Sequence, residues 1–206
     1  MIYDFAVIGA GMAGASIAAE LAPHARVLLL EAEDAPGYHA TGRSAAFWEE
    51  CYGGPGVVPL TLASGPYLAE HGFLAPRGAL YVGRAEDAGA MDEFVATFAG
   101  TGVTIERLDR AGLERLVPQM RGDWCDAIHE PACADIDVAG LHQHYLAAAR
   151  RDGVELVCRA QVTGLVREAG GWRIATAAGA ELRAARIINA AGAWADMLTG
   201  LAGGID

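Results

Sequence analysis

Apolar residues in the first 30 positions predict two strands joined by a helix. The residues from Ile2 to Ile8 form a short apolar run, those from Met12 to about Leu21 suit a helix, and those from Arg26 to Leu30 form a second apolar run. Glycines separate the first strand from the helix, and Glu31 ends the second strand. This order of elements predicts the βαβ unit of a parallel sheet.

The same stretch is apolar enough to suggest a membrane span or a signal peptide. Residues 5–22 are nearly all uncharged. However, Glu20 lies inside the run, glycines interrupt it and no basic segment precedes it. We therefore expect no integral membrane segment.

The middle of the chain predicts a mixture of helices and strands. Helices are expected at 57–71, Asp87–Phe98 and 109–118, and strands at 78–85 and 103–109. Asp109 is suited to cap the third helix, and Pro118 closes it.

The last third of the chain returns to the parallel sheet. A helix is expected from Asp137 to about Arg151, and four short strands follow it. Tight turns at Gly170-Gly171 and Gly179 indicate an antiparallel meander, which forms a hairpin layer and re-enters the parallel sheet at Ile187-Ile188-Asn189.

These elements predict an α/β fold with a discontinuous nucleotide-binding domain. Residues 1–45 and 135–206 form that domain, and residues 46–134 form an inserted α+β lobe. The chain has 206 residues, of which 53% are hydrophobic, so it can bury a substantial core in one large or two small domains.

Composition narrows the possible partners. The formal net charge of −11 and the isoelectric point near 4.9 argue against nucleic acid and anionic membrane surfaces, because the field of the protein would repel both. We expect a small-molecule substrate instead.

The cysteines and histidines of the chain are not spaced as the ligands of a metal site are. Cysteine occurs at Cys51, Cys125, Cys133 and Cys158, without the close pairs of a zinc site or a redox dithiol, so we interpret these residues as reduced thiols of a cytoplasmic protein. His142 and His144 face different sides of a predicted helix, and Glu49 and Glu50 are expected to be solvated. We therefore predict no metal site.

Gly9, Gly11 and Gly14 follow the pattern G-x-G-x-x-G between the first strand and the first helix. In this context the first glycine permits the turn, the second lets the backbone approach a pyrophosphate, and the third lets helix and strand pack closely. Glu31 follows about 20 residues later, where a carboxylate accepts hydrogen bonds from ribose hydroxyls. The pattern predicts dinucleotide binding.

The segment after Glu31 favours FAD over a nicotinamide cofactor. A nicotinamide enzyme would continue with alternating strands and helices, whereas this chain continues with "GYHATGRSAA". The longer FAD needs a second segment beside its pyrophosphate and flavin, and Thr41–Ser44 supply hydroxyls, one cation and close backbone approach. A short helix starting near Arg43 would direct its N–H groups at that ligand.

Several stretches resemble one family when taken together. "VIGAGMAGASIAAEL", "LLLEAEDAPGYHATGRSAA" and "IINAAGAWAD" resemble the D-amino acid oxidase superfamily of FAD-dependent amine oxidoreductases. "PGYHATGRSAA", "VPQMR" and "ADIDVAGLHQHYL" are most similar to its D-arginine dehydrogenase branch. The similarity covers nearly the whole chain and implies a glutathione-reductase-like FAD-binding core with an inserted substrate lobe.

The resemblance also implies roles for individual residues. The FAD pyrophosphate and flavin would be lined by Gly9, Gly11, Met12, Ala13, Gly14, Thr41, Gly42, Arg43, Ser44, Ala45 and Ala46. The ribose would lie at Glu31 and Ala32, the adenine at the backbone of Val162, and the opposite wall would be Ala191, Gly192 and Trp194. Tyr52 is the candidate catalytic residue that lines the substrate pocket.

The reaction implied by the resemblance is oxidation of an α-amino acid or amine. Hydride transfer from the α-carbon to flavin gives an imine, which water hydrolyses to a 2-oxo acid and ammonia. Two departures from the arginine-type pattern concern the substrate: Phe47 replaces a histidine, and Ala79 replaces a glutamate. Because neither can pair with a cationic side chain, we predict a neutral or apolar substrate.

Members of this superfamily are usually longer than 206 residues, and their second half completes the site. We therefore expect a truncated chain that self-associates or needs a second half. Two alternatives stay open: an FAD-dependent dehydrogenase of 2-hydroxy acids, and a non-catalytic FAD-binding fragment. The electron acceptor, oxygen or a quinone-linked carrier, also stays open.

Overall fold

Two compact units make up the protein in a computed structural model that describes residues 2–204. The first unit comprises the chain up to Ser44 and from Val138 onward, and the second comprises Ala45–Asp137.

The first unit opens with the predicted βαβ arrangement. Strand β1 (Tyr3–Ile8), helix α1 (Met12–Leu21) and strand β2 (Val27–Leu30) follow one another, and β1 and β2 are parallel neighbours. All four residues of β2 are buried, which is typical of a central strand covered on both faces. The sequence prediction is confirmed here.

The second unit contains two small antiparallel sheets and three helices. In chain order its elements are β3 (Ala46–Trp48), α2 (Val58–Glu70), β4 (Leu74–Pro76), β5 (Ala79–Gly83), α3 (Ala88–Phe98), β6 (Glu106–Asp109), α4 (Arg110–Leu116), β7 (Asp126–Glu130) and β8 (Ala134–Ile136). The sheets have the orders β3-β8-β4 and β5-β7-β6. The sequence prediction missed β3, β4, β7 and β8, which are short and pair with distant residues.

Two local predictions in this region have different outcomes. The Asp109 carboxylate accepts a hydrogen bond from the Gly112 N–H at 2.8 Å, so Asp109 caps α4 as predicted. The prediction of a helix that starts near Arg43 is wrong, because a single 3₁₀ turn, Thr41–Arg43, ends at this residue. Ser44 is already extended, because the next residues join β8 as strand β3.

The chain then completes the first unit. The elements are α5 (Val138–Arg151), β9 (Glu155–Val157), β10 (Val162–Glu168), β11 (Gly171–Thr176), β12 (Glu181–Asn189) and α6 (Ala195–Leu201). Strands β9 to β12 join β1 and β2 in one six-stranded sheet of order β10-β11-β12-β1-β2-β9.

The sequence predicts that the antiparallel meander forms a hairpin layer, whereas in the structure its strands belong to the same sheet as the parallel strands. Strand β12 pairs antiparallel with β11 and parallel with β1. Ala184 has partners on both sides, Trp172 on β11 and Tyr3 on β1. The meander is therefore continuous with the parallel sheet.

Strands β1 and β2, in the middle of this sheet, are buried on both faces. On one face, Val7 and Leu29 pack against alanines of α1 and against Leu146 of α5. On the other face, Leu28 and Leu30 pack with residues that include Ile174 and Leu198. This double burial fixes the ends of β1 and β2, from which the candidate site is built.

All four cysteines are free thiols, and Cys51 and Cys133 are buried. Among residues 2–204 no helix has both the length and the apolar character needed to cross a membrane.

Candidate functional site

Gly9 and Gly14 hold the turn between β1 and α1 in a form that other residues could not adopt. Gly9 has φ of +102°, and a Cβ there would lie 2.3 Å from the carbonyl oxygen of Ala190. A Cβ on Gly14 would lie 1.8 Å from the carbonyl oxygen of Gly9. Both glycines are therefore required by backbone packing of the turn itself.

Gly11 is less constrained by its own chain. The nearest atom to a Cβ at Gly11 is Thr41 Oγ1, at 3.1 Å. A Cβ there would press on the Thr41 hydroxyl, but a small movement of that side chain could relieve the contact, so the fold restricts Gly11 less than Gly9 or Gly14.

The first turn of α1 supplies hydrogen-bond donors beside this glycine. Met12 donates its N–H to Thr41 Oγ1 at 2.9 Å, which joins the 41–44 segment to the glycine turn. Within the described residues, the N–H groups of Ala13 and Gly14 are paired with no acceptor. Free N–H groups at the positive end of a helix dipole suit a pyrophosphate.

Glu31 is held at the end of β2 by two backbone amides. Its carboxylate accepts from Ala10 N–H at 2.9 Å and from Glu33 N–H at 3.0 Å, and the side chain is largely buried. Each carboxylate oxygen retains a lone pair for a further donor, such as a ribose hydroxyl. Ala32, the next residue, is exposed.

The start of β10 is anchored to the same place. Ala160 donates its N–H to the Glu31 carbonyl at 2.8 Å, and Val162 begins β10 two residues later. The structure thus brings Val162, the residue predicted to contact adenine, close in the fold to the residue predicted to contact ribose.

His142 is a site residue that the sequence analysis missed. It is buried on α5, and its Nε2 lies 2.9 Å from the carbonyl oxygen of Ala10 in the glycine turn. A carbonyl only accepts, so Nε2 carries the proton of this bond. A Cβ on Gly37 would lie 2.8 Å from His142 Cε1, so the histidine also fixes the start of the 37–44 segment.

Trp194 meets the 37–44 segment through His39. The two rings have centroids 4.6 Å apart, and His39 Nε2 lies 2.8 Å from Glu33 Oε1. Asn189 holds the turn that carries Trp194, since its Nδ2 donates to the Ala195 carbonyl at 2.8 Å. Ala191 and Gly192 lie in this turn, and Ala191 donates its N–H to Asn189 Oδ1 at 3.2 Å.

The remaining predicted cofactor residues are exposed or half-buried. Gly42, Arg43 and Ser44 are exposed, and the Arg43 guanidinium lies 5.3 Å from the centroid of the Tyr38 ring. Ala45 and Ala46 belong to the second unit, where Ala46 begins β3.

The candidate substrate residues lie on the second unit. Phe47 is 47% exposed, and the Arg77 guanidinium lies 4.5 Å from its ring centroid while Nη1 bonds Asp135 at 3.1 Å. Tyr52 is 74% exposed and donates its N–H to the Glu49 carbonyl at 3.3 Å. Both aromatic side chains are thus available to a ligand.

The expectation that Glu49 and Glu50 are solvated is wrong. Glu50 is buried and accepts from the Thr104 N–H at 2.7 Å, and Glu49, half-buried, accepts from the Tyr81 hydroxyl. The two side chains point to partners that are distant in sequence and that a local pattern cannot reveal. Within residues 2–204, no group of three or more His, Cys, Asp or Glu side chains is placed to hold a metal.

The glycine turn, the free helix amides and the held carboxylate define a dinucleotide-binding protein of the Rossmann type. The family profile of DAO, the FAD dependent oxidoreductases, matches residues 4–206, and the chain belongs to this family. FAD, predicted from the sequence, is therefore the cofactor of its family.

Proteins similar to this chain include a dehydrogenase and two oxidases. The chain is 29% identical over 214 residues to L-2-hydroxyglutarate dehydrogenase of Salmonella houtenae, covering 98% of this chain and 50% of that protein. It matches glycine oxidase from Geobacillus kaustophilus with a TM-score of 0.85 and 25% identity, over 98% of this chain and 58% of that one. NikD, an unusual amino acid oxidase essential for nikkomycin biosynthesis, matches with a TM-score of 0.78 and 26% identity, over 96% and 53%. The chain thus spans about half the length of these relatives.

Proposed function

We propose that this chain provides the FAD-binding part, and part of the substrate-binding lobe, of an oxidoreductase that acts on an amine or amino acid. In this proposal the first unit binds FAD and the second unit carries substrate contacts. The observation that carries it is the joined set of Gly11, the first turn of α1, Thr41 and Glu31, which matches the needs of the cofactor of its family.

Each part of the first unit would hold one part of FAD. The amides of Ala13 and Gly14 would receive the pyrophosphate, and Glu31 would accept from the ribose hydroxyls. Val162 would present its backbone to the adenine, while Thr41–Ser44 and the turn at Trp194 would line the flavin side. Bound FAD supplies the acceptor for a hydride.

The residues of this chain would orient the substrate and exclude other poses. The substrate would lose a hydride from its α-carbon and release a proton from its nitrogen to water, which would give an imine, and hydrolysis of the imine would then release a 2-oxo acid and ammonia. Tyr52 and Phe47, both exposed, would contact the substrate. Phe47 offers an apolar ring, and Ala79 offers no carboxylate, so a neutral or apolar substrate fits better than a cationic one.

Anaerobic titration of the purified, FAD-loaded chain tests this function. The flavin absorbance is recorded while D- and L-amino acids are added, with D-Leu, D-Phe and D-Met compared with D-Arg. We expect bleaching by an apolar amino acid or amine. Preferential bleaching by D-Arg would contradict the substrate proposal, and retained flavin that no substrate bleaches would identify a non-catalytic FAD-binding domain.

Oxidation of a 2-hydroxy acid is the second candidate. The similarity to L-2-hydroxyglutarate dehydrogenase over 98% of the chain favours it. The same titration separates the two, because a hydroxy acid such as 2-hydroxyglutarate would bleach the flavin while amino acids would not.

A further inference from the structure

A buried carboxyl group lies at the end of β7, the central strand of the β5-β7-β6 sheet. Glu130 has 0% of its surface exposed. Its Oε1 accepts the backbone N–H of Glu50, and the Cys51 thiol also donates to its carboxyl group. Two consecutive residues of the 49–52 segment are therefore held by one side chain.

Tyr81 joins this carboxyl group to a second one. The Tyr81 hydroxyl bonds Glu49 Oε1 and lies 3.5 Å from Glu130 Oε2. Glu50, the third acid of the group, accepts from the Thr104 N–H. The titratable groups that face Glu130 are therefore Glu49, Glu50, Cys51, Tyr81 and Cys133.

These contacts are one proton short if every carboxyl group is ionised. The Tyr81 hydroxyl has a single proton and faces both Glu49 Oε1 and Glu130 Oε2, so it can donate to only one of the two carboxyl groups at a time. A proton on one of these carboxyl groups would supply the missing donor. Among the described residues no arginine or histidine pairs with Glu130, Glu49 or Glu50, so no cation offsets the charge of a buried, ionised Glu130 beside its two acidic neighbours.

The direction of each pKa agrees with this proton count. Burial raises the pKa of Glu130, and the charges of Glu49 and Glu50 raise it further, while its bonds with the Glu50 amide and the Cys51 thiol lower it. Burial and the neighbouring acids raise the pKa of Cys51 to about 12. Burial and the bond to Glu49 also raise the pKa of Tyr81, so both neighbours stay neutral when Glu130 titrates.

We infer that Glu130 keeps a proton in the folded chain and acts as the positioning residue of the 49–52 segment. This segment carries Tyr52 and follows Phe47. The consequence for substrate contacts rests on the proposed function, whereas the protonation and the anchoring do not.

Loss of this proton destabilises the surroundings of the 49–52 segment, because burial and the two acidic neighbours oppose the charge more than the bonds from the Glu50 amide and the Cys51 thiol favour it. When Glu130 ionises, its charge meets those of Glu49 and Glu50, and the contact with Tyr81 becomes repulsive. Because the pKa of Glu130 is raised in the folded state, its contribution to stability is present at low pH and is lost as pH rises through that raised value. The stability of this region is therefore expected to fall as pH rises through the raised pKa of Glu130.

Carbon NMR of the whole chain, labelled at the glutamate side-chain carboxyl carbon, measures the protonation directly. Glu130→Gln assigns the Glu130 signal. We expect this signal to stay at the position of a protonated acid above the pH at which the same carboxyl group ionises in the denatured chain. A Glu130 signal that titrates over the same pH range in the folded and the denatured chain would overturn the inference.

Hydrogen exchange of the Glu50, Cys51 and Tyr52 amides tests the anchoring. Glu130→Gln keeps an acceptor for the Glu50 N–H but has no group that ionises. The Glu50 amide should therefore stay protected from exchange, and its protection should no longer change over the pH range in which Glu130 titrates. Glu130→Ala removes the acceptor, and exchange at Glu50 should rise by about tenfold or more. Glu93→Gln, on the exposed surface of α3, is the control and should change neither result.

The Gln variant keeps the test decisive if the Ala variant does not fold. Loss of protection at Glu50 in Glu130→Gln at low pH would contradict the positioning role. Neither measurement uses flavin or substrate, so failure of the amino acid titration and failure of this inference are distinguishable.

Discussion

Replacing Glu31 by Gln should destabilise the first unit even without cofactor. The Glu31 carboxylate accepts from the buried Ala10 amide at 2.9 Å and from the partly buried Glu33 amide at 3.0 Å. A Gln side chain offers one oxygen and one NH2 group, so one of these amides, Ala10 or Glu33, faces a donor instead of an acceptor. The fold and the ribose contact would both be affected, but only the first effect is visible in the apo chain.

The expected size follows from the bond that is lost. A hydrogen bond to a charged acceptor contributes about 1.5–3 kcal/mol. For a chain of this size that loss lowers Tm by roughly 3–12 °C, at about 2–4 °C per kcal/mol. Glu33→Gln is the matched control, because its partly exposed pair with His39 contributes only about 0–1 kcal/mol.

Thermal unfolding of the apo chain, followed by circular dichroism, measures this difference. FAD titration of the same variants then measures the additional loss of cofactor affinity. An apo Glu31→Gln chain with the Tm of the wild type would refute the account of Glu31 as an acceptor for two amides.

Three other predictions concern the same structure. Gly14→Ala should prevent folding of the first unit because its Cβ would lie 1.8 Å from a backbone oxygen. Gly11→Ala, whose Cβ would lie 3.1 Å from a side-chain atom, should fold and bind FAD less tightly. Circular dichroism measures folding and flavin fluorescence measures FAD binding, and the same result for both variants would contradict this prediction. Thr41→Val should lose about 1 kcal/mol of unfolding free energy relative to Thr41→Ser, because only Ser keeps an acceptor for Met12 N–H, and urea unfolding checks the difference. With a pKa of about 12, Cys51 should be alkylated more slowly at pH 8 than the half-buried Cys125, as mass spectrometry would show, and denaturation should remove the difference.

The sequence predicts the first unit well because its signals are local. The glycine turn, the run of β2 and the meander turns at Gly170 and Gly179 each depend on residues close in the chain. Family membership follows from the same stretches. The D-arginine dehydrogenase branch, the domain roles and the individual FAD contacts stay predictions.

What the sequence does not predict depends on partners that are distant in the chain. His142 bonds a carbonyl 132 residues away, and the Glu50 amide bonds a carboxylate 80 residues away. Two adjacent glutamates are typical of a solvated surface, and only the tertiary contacts bury them. Strand β7, which carries Glu130, is short and partly polar, so periodicity does not reveal it.

The position of β1 in the sheet imposes an order on folding during synthesis. Its parallel partner β12 begins at Glu181, so Tyr3 cannot pair with Ala184 until nearly the whole described chain has been made. All residues of the second unit, Ala45–Asp137, are synthesised before that point. We therefore expect the inserted unit to fold first and the apolar strand β1 to stay incompletely paired, open to chaperones and to aggregation, until β12 has been made after that unit.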